Sequence, residues 1–177
     1  NMELSKSLCP ATDQLDSKAT NINTNSTLPV LRSTSIDVTA GNGNHYDTSH
    51  PKRGIALVIN QVNFNSLSKR DGSDNDRDCI STALKGMGFD VRRLDDPNRK
   101  KLLAALDTVA SEDHSQNDCL VMVVMTHGKE NNLLYAKDKS YEADKLWEPF
   151  IGNACPSLRG KPKLFFVQAC LGKQLRG

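Results

Sequence analysis

Short apolar runs that alternate with helical patterns are the feature that most constrains the fold of this chain. Residues 55–59 (IALVI) are apolar at every position, and residues 119–126 are apolar through most of their length. Strands buried on both faces have this composition, because helices cover both sides of a parallel sheet. Such strands in alternation with helices predict an α/β fold, with a mostly parallel sheet and helices on both faces in three layers.

Helices are predicted where apolar residues recur at helical spacing. The first covers residues 76–87, and Gly86 and Gly88 are expected to end it. The second covers residues 97–111, where Pro97 suits the first turn. A third helix is predicted over residues 141–151.

Four strands and one turn region complete the predicted elements. A short hairpin or loop is expected at residues 131–138. The predicted strands are residues 55–59, 89–94, 119–126 and 164–169.

Residues 1–44 differ in composition from the rest of the chain. They contain no Phe, Tyr or Trp, and Ser, Thr and Asn dominate stretches such as TNINTNST at residues 20–27. A segment of this kind cannot bury enough apolar surface to offset the entropy lost on ordering. Residues 1–44 are therefore predicted to be disordered, and the folded domain is expected over residues 45–177.

Charge and cysteine content exclude several classes of partner. The 23 Lys and Arg nearly balance the 21 Asp and Glu, so no global field favours nucleic acid or an anionic membrane. The five cysteines include no CxxC pair or zinc-ligand spacing, so no metal site is predicted and a reducing, cytoplasmic location is the simplest expectation. The longest apolar run, at residues 119–125, is far shorter than the roughly 20 residues of a membrane helix.

Two residues suited to nucleophilic catalysis come at the ends of predicted strands. His127 follows the third strand directly, and Cys170 ends the fourth. Ligands bind at the carboxyl ends of the strands in open α/β sheets, so both residues are expected at one site. An imidazole can take the proton of a thiol and later protonate a leaving amine, while backbone N–H groups of Gly128 and Cys170 bind the oxyanion. This pairing predicts cysteine peptidase chemistry with no cofactor.

Each of these residues also has a purely structural interpretation. A lone cysteine such as Cys170 is more often a small buried apolar residue than a nucleophile. His127, just before Gly128, is by itself equally consistent with an exposed turn histidine. Their joint position at one sheet edge favours the catalytic interpretation.

Two motifs carry a resemblance to a known family. The sequence QACLG at residues 168–172, with HG at residues 127–128, resembles the caspase signature Q-A-C-[RQG]-G with its His about 50 residues upstream. The likeness extends from about residue 46 to residue 177 and is greatest to insect executioner caspases. It implies a three-layer caspase-like fold and an Asp-directed cysteine endopeptidase that acts in apoptosis and is made as a zymogen.

The resemblance also assigns a substrate pocket. Arg70, within KRDGSD at residues 69–74, and Gln168 are the residues that it places around the aspartate after which the substrate is cleaved. An Arg side chain suits this role, because its fork of donors pairs bidentately with a carboxylate. Without the motif, the simpler interpretation of Arg70, beside Asp71 and Asp74, is a solvent-exposed charge in a loop.

The sequence departs from the family pattern in two respects. Leu171 stands where the signature has Arg, Gln or Gly, and the chain ends at Gly177, where the family continues into a small subunit. The small-subunit part of the fold is therefore expected to be absent. The resemblance implies four partners: protein substrates cleaved after Asp, a small subunit, a second protomer that completes a dimer of large/small pairs, and a candidate inhibitor-of-apoptosis protein.

Two other functions remain open at this level. Leu171 beside the nucleophile is also consistent with a catalytically weak homologue, or decoy, that regulates an active caspase by pairing with it. A flavodoxin-like binding module is a weaker alternative, because the chain has no glycine-rich phosphate loop of the type GxxxxGK[ST] or GxGxxG.

Zymogen maturation gives a prediction for the N-terminal segment. Asp37 ends TSID at residues 34–37, within a stretch expected to be open to proteases. We expect cleavage after Asp37 during activation, detected as a new N-terminus at Val38 by mass spectrometry. An activated protein in which the bond after Asp37 is intact would contradict this assignment.

Overall fold

A single sheet forms the centre of the part of the chain described by the computed structural model, which covers residues 45–171 and the side chains of residues 45–169. The segment expected to be disordered, with Asp37, lies outside the described residues, as do residues 172–177. The strands are β1 (Lys52–Asn60), β2 (Asp90–Asp95), β3 (Asn117–Lys129), β4 (Leu133–Tyr135), β5 (Ser140–Glu142) and β6 (Lys163–Leu171).

The sheet is mostly parallel, as the sequence predicts. Its central order is β2-β1-β3-β6, and each of these neighbours is parallel. The antiparallel hairpin of β4 and β5 joins the last two residues of β3, beyond the point at which β1 stops. The carboxyl ends of β1, β3 and β6 therefore meet at one edge.

Side chains that alternate along β1 and β3 divide the core between two faces of the sheet. The helices are α1 (Ser73–Gly86) and α2 (Arg99–Ala110). Ile55, Leu57 and Ile59 lie in one cluster with α2, whereas Ala56 and Val58 lie in the other with α1. This arrangement confirms the expected three layers, because each face of the sheet is covered by its own helix.

The second helix begins slightly later than the sequence pattern predicts. Its cap is Asn98, whose side-chain oxygen accepts a hydrogen bond from the Lys101 N–H at 2.8 Å. Pro97 therefore precedes the cap instead of occupying the first turn. No helix within residues 45–171 combines the length and the apolar composition that spanning a bilayer requires.

The prediction of a helix over residues 141–151 is wrong. Tyr141 lies in β5, where it pairs with Leu134 of β4, and two short 3-10 helices follow (Ala143–Leu146 and Glu148–Phe150). Pro149 lacks an N–H and disfavours a continuous α-helix through this segment. The apolar spacing that suggested a helix is satisfied by these tight turns, which bury Leu146 and Phe150 completely.

Gly54 of β1 pairs with Cys119 of β3 and gives a stability prediction. Its φ of 129° favours glycine, and an added Cβ would lie 1.9 Å from the carbonyl oxygen of Cys119. We expect Gly54→Ala to lower the free energy of unfolding by roughly 2–5 kcal/mol in urea denaturation.

The matched control is the same substitution at the end of α1. A Cβ on Gly86 would meet nothing within 4 Å. Gly86→Ala is expected to leave stability unchanged or to raise it by about 0.5–1 kcal/mol. Equal stability of the Gly54→Ala variant and the parent would contradict the close approach.

Candidate active site

His127 and Cys170 are register partners on neighbouring parallel strands. His127 lies in β3 and Cys170 in β6, and the next pair in the ladder is Gly128 with Leu171. Hydrogen-bonded strands lie about 5 Å apart, so the two backbones are adjacent at the carboxyl edge of the sheet. The sequence pattern places His127 just after its strand, whereas β3 continues to Lys129 because β4 pairs with its end.

The imidazole of His127 is buried and held in one orientation. Its Nε2 lies 2.9 Å from the carbonyl oxygen of Ser68, which can only accept a hydrogen bond, so Nε2 carries the proton. In the neutral ring this leaves the lone pair on Nδ1. That nitrogen is buried and has no hydrogen-bond partner among the described residues. The ring therefore presents a proton acceptor at Nδ1.

Phe64 packs against the same imidazole. The two ring centroids are 4.7 Å apart and the ring planes are inclined by 36°. Phe64 and Ser68 both belong to the connection between β1 and α1, which we call the β1–α1 loop (residues 61–72). This loop therefore holds the His127 ring through an aromatic contact and a hydrogen bond.

Neither of these contacts was identified from the sequence. A backbone carbonyl such as that of Ser68 has no sequence signature. An isolated aromatic residue within a polar loop is a usable signal, and Phe64 is the only aromatic residue in residues 61–72.

Arg70 is held by the β1–α1 loop as well. Its Nη1 donates to the carbonyl oxygen of Gln61 at 2.9 Å, and its backbone N–H donates to the carbonyl oxygen of Val62 at 2.9 Å. Ser68, the partner of His127, is two residues away in the chain. The guanidinium and the imidazole are thus positioned by the same short segment.

Gln168 lies on β6, two residues before Cys170. Its side chain is exposed, and its register partner in β3 is Met125. It lines an apolar groove of about 410 Å³ with residues that include Phe166 and Ile80. Arg70 does not line this groove. The groove therefore does not bring together the two residues that the sequence assigns to one substrate pocket.

Two sequence assignments concern residues whose side chains lie outside the described part. The backbones of Cys170 and Leu171 are placed in β6, while their side chains are not described. Within residues 45–171, no group of three or more His, Cys, Asp or Glu side chains is arranged to hold a metal ion. The proposed oxyanion donor Gly128 is half-buried, at the point where β4 joins β3.

Comparison with known proteins gives consistent matches. Caspase-1 of Spodoptera frugiperda is 42% identical over 138 residues, which cover 77% of this chain and 46% of that protein. Caspase drICE of Drosophila melanogaster is 39% identical over 142 residues, which cover 79% of this chain and 42% of that protein. The chain therefore spans less than half the length of these two relatives.

The fold shows the same likeness. The crystal structure of Caspase-1 from Spodoptera frugiperda matches with a TM-score of 0.71 and 40% sequence identity, over 75% of this chain and 54% of that one. The family model described as the caspase domain matches residues 53–177. Most of the chain, including β3, β6 and all of β1 except Lys52, falls within this match. The chain belongs to the caspase family.

Proposed function

We propose that this chain is the large-subunit part of an Asp-directed cysteine endopeptidase that acts in apoptosis. The observation that carries the proposal is the register of His127 with Cys170, together with an imidazole whose Nδ1 is the available proton acceptor. Family membership supports the same chemistry.

The proposed reaction uses His127 as base and then as acid. Nδ1 takes the proton of the Cys170 thiol, and the thiolate attacks the scissile carbonyl carbon of the substrate. The N–H groups of Gly128 and Cys170 stabilise the oxyanion that forms. His127 then protonates the leaving amine, and water hydrolyses the acyl-enzyme to regenerate the thiol.

Selection of aspartate is assigned to Arg70 and Gln168. A guanidinium pairs bidentately with a carboxylate, and the carbonyl oxygens of Gln61 and Val62 anchor Arg70 in the loop that also orients His127. Gln168 on β6 contributes an amide close in sequence to Cys170. We expect substrate binding and the small subunit to bring these two side chains around one carboxylate.

The exposed edge of β6 supports completion by a small subunit. Leu164, Phe166 and Val167 are 45%, 55% and 42% exposed, and β6 pairs with no strand other than β3 within residues 45–171. An unpaired apolar edge strand is a liability unless another element covers it. A small subunit that extends the sheet here, and a second large/small pair, would give the proposed heterotetramer.

Other parts of the proposal come from family membership. Protein substrates and control by an inhibitor-of-apoptosis protein belong to it. Maturation after Asp37 also rests on the sequence at residues 34–37, and a cytoplasmic location rests on the cysteine content. Leu171, the register partner of Gly128, favours the second candidate function of a decoy that pairs with an active caspase. In the sequence, Leu171 directly follows the proposed nucleophile, where the family signature has Arg, Gln or Gly.

Peptide cleavage by the complete protein tests the main proposal. This chain, extended past Gly177 to include its small subunit, is incubated with fluorogenic peptides that end in Asp or Asn. We expect turnover of the Asp peptide only, and a loss of at least about 10³-fold in kcat for Cys170→Ala. Turnover that survives Cys170→Ala would contradict the assignment. Absent turnover that Leu171→Arg restores would favour the decoy.

The contact between Phe64 and His127 gives a second prediction. Phe64→Leu keeps an apolar side chain but removes the ring contact, so the imidazole is less well oriented toward the thiol. We expect the rate of Cys170 alkylation by iodoacetamide, followed by mass spectrometry, to fall roughly three- to tenfold.

Phe89→Leu is the matched control for this measurement. Phe89 is half-buried against the α1-side cluster, away from His127. Its substitution is expected to leave the alkylation rate unchanged. Equal rates in both variants would mean that the aromatic contact does not position His127.

A further inference from the structure

Asp96 contacts the β1–α1 loop on the side opposite to Arg70. Asp96 follows β2, and its Oδ1 accepts hydrogen bonds from the backbone N–H groups of Val62 at 2.7 Å and Asn63 at 2.9 Å. Its Oδ2 accepts a further hydrogen bond from Asn63 Nδ2 at 2.7 Å. The carboxylate is thus dedicated to two adjacent residues of this loop.

Two consecutive peptide groups connect Asp96 with Arg70. In the first, the N–H of Val62 donates to Asp96 while the carbonyl of Gln61 accepts from Arg70 Nη1. In the second, the N–H of Asn63 donates to Asp96 while the carbonyl of Val62 accepts from the Arg70 N–H. Each peptide group therefore lies between the carboxylate and Arg70.

This arrangement strengthens the hold on the guanidinium. A carboxylate at the N–H end of a peptide group polarises it, which makes its carbonyl oxygen a better acceptor for a cation. The same contacts fix the planes of both peptides, and so the directions in which the Gln61 and Val62 carbonyls point. Asp96 thereby influences Arg70 without touching it.

Asp96 holds this position against two opposing effects. Its φ of 46° lies in the left-handed region, which costs residues other than glycine some strain, although less for Asp and Asn than for most others. Burial raises the pKa of its carboxyl, but hydrogen bonds from Asn63 and Val62 and the charge of Lys137 outweigh burial and keep the pKa below its ordinary value. The side chain is therefore a carboxylate held in a strained backbone.

We propose that Asp96 is a positioning residue that aims Arg70 at the carboxylate of the substrate. The inference rests on the proposed function, in which Arg70 binds the aspartate after which the substrate is cleaved. The hydrogen bonds of Asp96 reach Val62 and Asn63, next to Arg70, whereas His127 is held by Ser68 and Phe64 of the same loop. Removal of the Asp96 charge should therefore affect KM more than the chemical step.

The test is Asp96→Asn in the complete protein with its small subunit. Asn keeps the size of the side chain and tolerates left-handed backbone, but it removes the charge. We expect KM for the Asp-ending peptide to rise roughly tenfold, the size typical of a weakened charge-assisted hydrogen bond, with kcat changed by less than about twofold. The alkylation rate of Cys170 should stay at the parent value.

Asp95→Asn is the matched control, because Asp95 pairs with Arg77 of α1 instead of the loop. Its KM is expected to equal that of the parent. A double-mutant cycle with Arg70→Lys tests the route: Asp96→Asn should add little in that background. A full additional loss there, or equal losses in KM and kcat, would overturn the inference.

Asn63→Ala gives a second measurement if Asp96→Asn does not fold. The side chain of this exposed residue supplies one of the three donors to Asp96, so KM should rise by a smaller factor, and an unchanged KM would overturn the inference. A parent protein that cannot cleave the Asp peptide would overturn the proposed function and this inference with it. A parent that cleaves it, beside an Asp96→Asn variant with unchanged KM, would overturn the inference alone.

Discussion

The parallel register between β3 and β6 is the constraint on which the rest of the site depends. It places His127 level with Cys170 and Gly128 level with Leu171. A slip of one residue would move every side chain of β6 to the opposite face of the sheet. The register is held by pairs along the length of the strands, including Met122 with Phe165, which packs against the α2-side cluster. Site geometry therefore depends on core packing well away from the chemistry.

The β1–α1 loop fixes the positions of two functional side chains, His127 and Arg70. Most of these contacts are hydrogen bonds to backbone carbonyl oxygens. The carbonyl of Ser68 orients the imidazole of His127, and those of Gln61 and Val62 hold Arg70. Such contacts depend on the path of the chain rather than on side-chain identity. A loop without regular structure can be this well defined because neighbouring elements satisfy its peptide groups, with Asp96 as the main acceptor.

The edge strand β6 links the site to assembly. It carries Cys170 and also the exposed side chains of Leu164, Phe166 and Val167. A partner that covers this edge would bury these side chains beside the strand that carries the proposed nucleophile. In the proposed function, the small subunit both covers this edge and completes the substrate pocket.

The sequence by itself determined the layer architecture and the family. The apolar runs at residues 55–59 and 119–125 fit strands buried on both faces, and the motifs around His127 and Cys170 are local in the chain. The helix predicted over residues 141–151 failed because Tyr141 pairs with Leu134 and Pro149 disfavours a continuous helix, so apolar spacing alone misled. Only the tertiary structure decided the contacts of Ser68, Phe64 and Asp96, because all three join segments distant in the chain, and those of Ser68 and Asp96 use backbone groups that every residue carries.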